Sequence, residues 1–381
     1  MRYSNIYWDD LKTRVNATLF TTRDGVPEIH SIIQVTDPRL EAHVQFSNVQ
    51  AALQRITSGA VLEGVQPIWK RFFVSDAANQ SSYINDDSNT ITSIVQQPPL
   101  NGTKVAVWLY CVGGNSSIKK EGNTLTVQRN GGNTHLYTTQ LTAPLKDEYA
   151  ETESIFDAYV KTLRGYRLSL KGNCIRTWIF VQGVDIHYKG MVKARVKVFE
   201  SEGLTKETHY ISSTGIEGRH VHPHSLVLMD AYAIAGVKPE QVTYLYAPTH
   251  LNRTHDYGVT FERGTTVDFA DRRHVYISGT ASINNRGQIK YPLNVMKQLN
   301  HTLENVTTLL HEAGCSVDDI AQMIIYLRDI ADYAVVTSFF EANYPNMPKV
   351  IVLAPVCRAG WLIEVECIAI KERVNDDFPR F

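Results

Sequence analysis

The stretch APVCRAGWLIEVECIAI (354–370) decides the fold. An extended chain sends successive side chains to opposite faces, so Ile363, Val365 and Cys367 share one face. Leu362, Glu364, Glu366 and Ile368 share the other. Two carboxylates then stand side by side among apolar neighbours. An unpaired buried carboxylate is costly, and it responds by shifting its pKa or by finding a partner. The segment is therefore either a solvated sheet edge or a strand that carries a working acid, with Cys357 and Arg358 at its mouth.

Upstream, Leu299, Leu303, Val306, Leu310 and Ala313 recur at spacings of three and four, the stripe of a helix, which Gly314 ends. A β-rich segment precedes it, HVYISGTASI (274–283), and QMIIYLRD (322–329) and the helical YAVVTSFFEANYP (333–345) follow. The same order occurs twice more. ATLFTT (17–22), WKRFFVSD (69–76) and PPLNGTKVAVWLYCV (98–112) mark one copy. THLYTTQL (134–141), RTWIFVQGVD (176–185), the helical VKARVKVFESEG (192–203) and STGIEGRHVHPHSLVLMDAYAIA (213–235) mark the other. Such a repeat is the first thing to look for in a chain of this length. The reading is an α+β protein of three β-β-α-β-α-β units near 1–115, 130–240 and 262–374. The turn-rich GGNSSIKKEGN (113–123) and YAPTHLNRTHDYG (246–258) read as linkers.

Composition narrows the function classes. Of 381 residues 43% are hydrophobic and 20% charged, and the formal net charge is −1. No basic field exists to draw in nucleic acid or an anionic membrane. MRYSNIYWDDLKTRV at the start has no apolar signal core, and no uninterrupted apolar run of roughly 18 residues occurs. The expected location is cytoplasmic. Five cysteines, an odd number without zinc-ribbon spacing, read as free thiols. His220, His222 and His224 alternate in GRHVHPHSL (218–226), but Pro223 argues for a loop, and no carboxylate or cysteine lies close by in sequence. No phosphate-binding glycine pattern is present. Neither metal nor cofactor is expected.

The third unit is where a family becomes recognisable. VYISGTASINNRGQI (275–289), LENVTTLLHEAGCSVDDI (303–320), IIYLRDIADYAVVTSFFEANYP (324–345) and LIEVECIAI (362–370) follow one another as in the Rid (YjgF-type) family of small trimeric enamine/imine deaminases. The resemblance implies three Rid-like, chorismate-mutase-like units in one chain, a pseudo-trimer around a central β-barrel with ligand clefts between units. It also implies a monomer, because internal pseudo-symmetry closes what a trimer would close. SGTASI (278–283), IRTWIFVQGVDIHYKGMVKARVKVFE (175–200), DYGVTFERG (256–264) and VCRAGWLIEVE (356–366) resemble the long single-chain branch of that superfamily, the chorismatases. That resemblance puts the general acid on Glu364 and brings Cys357 to the pocket as a second catalytic candidate, whose thiol pKa the adjacent Arg358 could lower. Three departures stand out. The carboxylate-binding arginine of the deaminases is Lys349 here, in MPKVIVL (347–353), NNRGQI (284–289) replaces the Gly-His-Glu type turn of the chorismatases, and YGVTFERG (257–264) lacks their Gly-Pro-Arg.

The chemistry shared by both branches is protonation of an enolpyruvyl or enamine carbon followed by attack of water. For a ring carboxylate such as chorismate it needs cations, an apolar wall and an acid of raised pKa. Glu364 suits the acid, beside Trp361 and Leu362. Arg358 and Arg263 are candidate carboxylate forks, with Arg195 a further candidate and Tyr257 or Tyr210 a hydroxyl donor or stacking face. Each has a plainer reading: Glu364 as the partner of a lysine on a neighbouring strand, the arginines as structural or surface ion pairs, Cys357 as inert lining. Glu366 is expected to be structural. The expected partner is a small carboxylate. Three activities stay open: cleavage of an enolpyruvyl ether with pyruvate release, enamine/imine deamination, and ligand binding without catalysis.

Overall fold

The computed structural model describes residues 1–22, 25–58, 64–85, 87, 89–114, 116–129 and 131–381, the side chains of residues 116, 129 and 257 excepted. Its first sheet holds β1 (Arg2–Trp8), β2 (Thr13–Phe20), β3 (Glu28–Val35), β4 (Val65–Val74), β5 (Ile91–Gln96) and β6 (Val105–Gly113). The second holds β7 (Ser116–Glu121), β8 (Thr124–Arg129), β9 (Thr134–Thr142), β10 (Cys174–Val181), β11 (Ser212–Glu217) and β12 (Val227–Ala235). The third holds β13 (Val242–Leu245), β14 (Gly264–Asp268), β15 (Arg272–Ala281), β16 (Ile320–Leu327), β17 (Lys349–Leu353) and β18 (Ile363–Glu372). Strand order is the same in all three: first, second, third, sixth, fourth, fifth. The fourth and fifth strands pair in parallel and the rest antiparallel.

A parallel pair requires a crossover, and helices supply it. Those that pack on the sheets are α1 (Ala42–Thr57), the four-residue α2 (Ala77–Gln80), α3 (Glu148–Gly165), the short α4 (Leu170–Asn173), α5 (Val184–Ser201), α6 (Val295–Glu312) and α7 (Tyr333–Asn343). The apolar stripe from Leu299 to Ala313 faces the third sheet from α6, and Gly314 ends it at φ +69°, in the left-handed region that favours glycine. Among the described residues no helix is long and apolar enough to cross a membrane.

Each unit contains the expected β-β-α-β-α-β core and further strands besides. GGNSSIKKEGN is not a spacer: Ser116–Glu121 in it forms the edge strand β7. Its lysines and serines, which suit an exposed edge, carry no apolar alternation by which a strand is read. The three sheets meet cyclically, the fifth strand of one beside the third of the next. Thr139 Oγ1 donates to the Thr92 carbonyl (2.8 Å), Ser213 N to Ser278 Oγ (2.9 Å), and Gln34 Nε2 to the Lys349 carbonyl (3.1 Å). These are side-chain bonds, supplemented by isolated bridges such as Gln96 with Arg219 and Ile216 with Val356. The expected central barrel is therefore three sheets seamed together, without one continuous backbone ladder among the described residues.

Around the pseudo-threefold axis the seams close on aromatic rings. Trp69, Trp108 and Trp178 lie with centroids 5.5–6.2 Å apart; beyond them Tyr137 stacks on Tyr232, and Tyr276 lies tilted against Tyr232. Every seam also buries one arginine–carboxylate pair. Arg71 reaches Asp230 at 2.9 Å between units one and two, and Arg176 reaches Glu366 at 2.8 Å between two and three. Arg272 meets Glu28 between three and one. Burial alone would raise the Glu28 carboxyl, but His274 and Arg272 beside it outweigh that and hold it well below the usual range. Burial pulls the neighbouring His30 imidazole down to about 3.

Both groups weaken the fold in acid. Glu28 contributes stability that is present above the ordinary carboxylate value and lost as pH falls below it. His30, neutral in the core, contributes stability that is present above its ordinary 6.5 and is lost progressively as pH falls from there toward about 3. The melting temperature is therefore expected to fall on acidification below about pH 6.5. Glu28→Gln should lower it at neutral pH and make the acid limb shallower; an unchanged neutral melting temperature would remove Glu28 from this role.

Candidate active site

Strand β18 brings Glu364 and Glu366 to the seam between units two and three on one face, as the alternation reads. Glu366 is fully engaged. Its Oε2 accepts from Arg176 Nη2 (2.8 Å) and from the Thr214 hydroxyl, and its Oε1 from Trp178 Nε1 (2.8 Å). All three donors come from unit two. Glu364, 5% exposed, has no hydrogen-bond donor among the described residues. Burial, reinforced by the charge of Glu366 and opposed by Arg176 and Arg263, pushes its carboxyl up to about 8. At neutral pH it holds a proton.

A pocket between units two and three opens in front of that carboxyl. Unit two contributes Tyr188 and Arg195 from α5 and Ser213 and Gly215 from β11. The loop before β14 contributes Val259, Phe261 and Arg263, and the loop before β18 contributes Cys357, Arg358 and Trp361. The second proposed linker backs this wall: Thr254 Oγ1 ties it to the Phe261 carbonyl at 2.5 Å, and Arg263 holds the Asn252 carbonyl at 3.1 Å. Turn-forming residues look the same in sequence whether they space domains or fold over a site.

The remaining wall is clamped from three sides. Gln298 of α6 donates to the Gly360 carbonyl and accepts from Leu362 N, both at 2.9 Å. Arg328 pairs with Asp185 of α5 (2.7 Å) and with the Val356 carbonyl (2.6 Å). Arg358 lies over Trp361, 5.0 Å from its centroid. Burial and the nearby Glu364 push the Cys357 thiol up to about 12, and the Tyr188 hydroxyl hydrogen-bonds it. It stays a protonated thiol, not a nucleophile.

Behind Glu364 the backbone of β15 is bulged: Ile277 pairs with Cys367 but Thr280 with Val365, so Ser278 and Gly279 together face Glu366. A Cβ on Gly279 would lie 2.2 Å from Glu364 Oε1. Glycine there makes the space the carboxyl occupies. Gly279→Ala is expected to displace Glu364 and cut ligand affinity or turnover by about tenfold or more, the effect of misplacing a reacting group by roughly 1 Å; unchanged affinity and turnover would show that the carboxyl tolerates the move.

Five of the residues singled out in the sequence meet at this cavity: Glu364, Cys357, Arg358, Arg263 and Arg195. Tyr210 does not line it; it is buried behind, stacked on Phe199, with its backbone N–H donating to Glu262 Oε1 at 2.9 Å. Tyr257 ends a short 3-10 turn, and its side chain lies outside the described residues. Lys349 is remote from this cavity, between units three and one, with Nζ on the Tyr344 carbonyl (2.9 Å) and 3.4 Å from Glu341. His220 and His222 rings lie 4.9 Å apart, and among the described residues no group of three or more His, Cys, Asp or Glu is arranged to hold a metal. Tyr188, Ser213, Gly215 and Gly279 went unread in the sequence. Their signal is smallness or a place in another unit, which no local pattern carries.

The family model described as Endoribonuclease L-PSP matches residues 266–371. The chain is 30% identical over 100 residues to Protein mmf2, mitochondrial, of Schizosaccharomyces pombe, a match covering 25% of this chain and 78% of that protein. It is 31% identical over 80 residues to a RutC family protein of Pyrococcus abyssi, covering 20% of this chain and 63% of that one. Among solved structures, a chorismatase aligns with a TM-score of 0.63 over 81% of this chain and 95% of its own, at 15% identity. That likeness is one of fold, and it extends beyond the third unit to the three-unit layout. By its relatives and its thrice-repeated architecture, the chain belongs to the Rid (YjgF-type) superfamily.

Proposed function

We propose that this protein cleaves the enolpyruvyl ether of chorismate or a related ring carboxylate, releasing pyruvate. The observation that carries the reading is a buried Glu364, without a hydrogen-bond donor among the described residues, in a pocket with three guanidinium groups, Arg195, Arg263 and Arg358. Guanidinium forks suit carboxylates, and Phe261, Val259 and Trp361 offer an apolar wall to a ring. Glu364 delivers its proton to the terminal methylene carbon of the enol ether. The adjacent carbon becomes an oxocarbenium centre, water adds to it, and the hemiketal collapses to pyruvate and the ring alcohol. The Glu364 carboxylate recovers a proton from that water. The one acid in the lining serves both halves, general acid and then base.

Deamination is supported less well, because the lysine that stands in place of the deaminases' arginine faces Glu341 and not this cavity. Purified protein incubated with chorismate, with pyruvate followed through a coupled reductase and the ring products resolved by chromatography, tests the reading. Pyruvate release that disappears in Glu364→Gln supports it. No pyruvate above the uncatalysed background sinks it for chorismate, and ligand binding without turnover would favour a binding protein.

A further inference from the structure

We propose that Glu366 is a positioning residue for the acid: it stations the proton on Glu364 and, through Thr214, fixes the backbone against which that carboxyl lies. This rests on the reading of Glu364 as the proton donor. Residues two apart on one strand face are about 6.6 Å apart along the chain, so the two carboxylates share one low-dielectric environment. The three donors of unit two are all spent on Glu366 and none on Glu364. The two acids of the pair are thereby assigned different tasks: one is held as the anion partner of Arg176, and its neighbour takes the proton.

Thr214 carries the second half. Its hydroxyl hydrogen is committed to Glu366, while its oxygen accepts from Arg176 Nη2 (2.5 Å) and from Gly279 N (2.9 Å). Gly279 is the residue whose missing Cβ leaves room for Glu364 Oε1. Arg176 Nη1 also reaches Ser278 Oγ at 3.3 Å, so both bulge residues hang on the same network. A carboxylate from unit three, an arginine and a threonine from unit two therefore hold the floor of the cavity across the seam.

The groups that face Glu364 come from every element around it. They are Glu366 on its own strand, Arg176 on β10, Tyr326 on β16, Arg263 before β14, Cys357 and Arg358 before β18, and Tyr188 and Arg195 on α5. Of these only Glu366 adds negative charge beside it. Removing that charge also leaves Arg176 unopposed, and both changes favour release of the Glu364 proton.

The test reads the Glu364 carboxyl directly, by infrared or carbon-13 titration of the full chain with Glu364→Gln supplying the assignment, so it needs no substrate. In the intact protein the band is expected to titrate above neutrality. In Glu366→Gln its midpoint is expected to fall by at least about one pH unit, and in Arg176→Gln to rise by a similar amount. The double variant removes both charges at once, so that neither is left as an unopposed buried ion. Its midpoint is expected below that of the intact protein, since Glu366 acts on Glu364 more strongly than Arg176 does. A midpoint unmoved in Glu366→Gln, or in the double variant should the single one not fold, overturns the proposal. Absence of turnover with every enol ether, beside a shifted titration, would instead overturn the functional reading alone.

Discussion

Glu364→Gln is expected to remove turnover by about 10²–10⁴-fold, the contribution typical of a positioned general acid, while leaving the fold intact. Glutamine keeps the shape and loses the proton that the reaction consumes. The same substitution should stabilise the protein in mild alkali. The carboxyl of Glu364 is raised from its ordinary 4.5 to about 8. A group raised in this way contributes stability that is fully present below 4.5 and lost as pH climbs toward 8. Above that, the folded chain carries an uncompensated buried anion costing on the order of a few kcal/mol. Melting curves of the two proteins should thus converge near pH 4–5 and separate, the variant melting higher, at pH 8–9. Loss of activity together with a lower melting temperature at every pH would mark Glu364 as structural.

Arg71→Met is the second large effect, and it falls on stability, not on the site. Arg71 and Asp230 are both fully buried, with Ser93 Oγ completing the carboxylate at 2.5 Å. The guanidinium lies 4.6–5.4 Å from the centroids of Trp69, Trp108, Trp178 and Phe180. A planar, weakly hydrated cation stacks in such a cage where an ammonium would not. Removing one partner strands Asp230, at a cost of about 3–5 kcal/mol, and opens the seam between units one and two. Replacing both, as Arg71→Met with Asp230→Leu, should restore most of the loss, because an apolar pair of similar volume escapes the desolvation cost. Equal destabilisation in single and double variants would mean that packing of the tryptophans, not the charge pair, holds the seam.

How much of this was legible in the sequence depends on range. The two-residue alternation of Leu362–Ile368 is local, so the shared face of Glu364 and Glu366 could be read at once. The stripe from Leu299 to Ala313 and its Gly314 stop were legible for the same reason. What joins the halves of the site is not local. Arg176 and Glu366 are 190 positions apart, and Trp178 and Glu366 188. No periodicity links them; only the threefold repeat said that a cleft would lie between units. Tyr210 was misread because its aromatic ring signals burial and binding equally well, and burial won. Edge strand β7 looks like a loop because it is short and polar, and β13 shows no alternation because it is only four residues long. Glu366 was read as structural, and its geometry makes it the group against which Glu364 is set.

The central claim is that Glu364 protonates the methylene carbon of an enolpyruvyl ether. The most direct measurement runs the reaction with chorismate in heavy water, reduces the pyruvate to lactate as it forms, and weighs the methyl group by mass spectrometry. One deuterium in the methyl group, with no product from Glu364→Gln, is the predicted result. Pyruvate whose methyl carries no solvent deuterium, or product formed equally by Glu364→Gln, would contradict it.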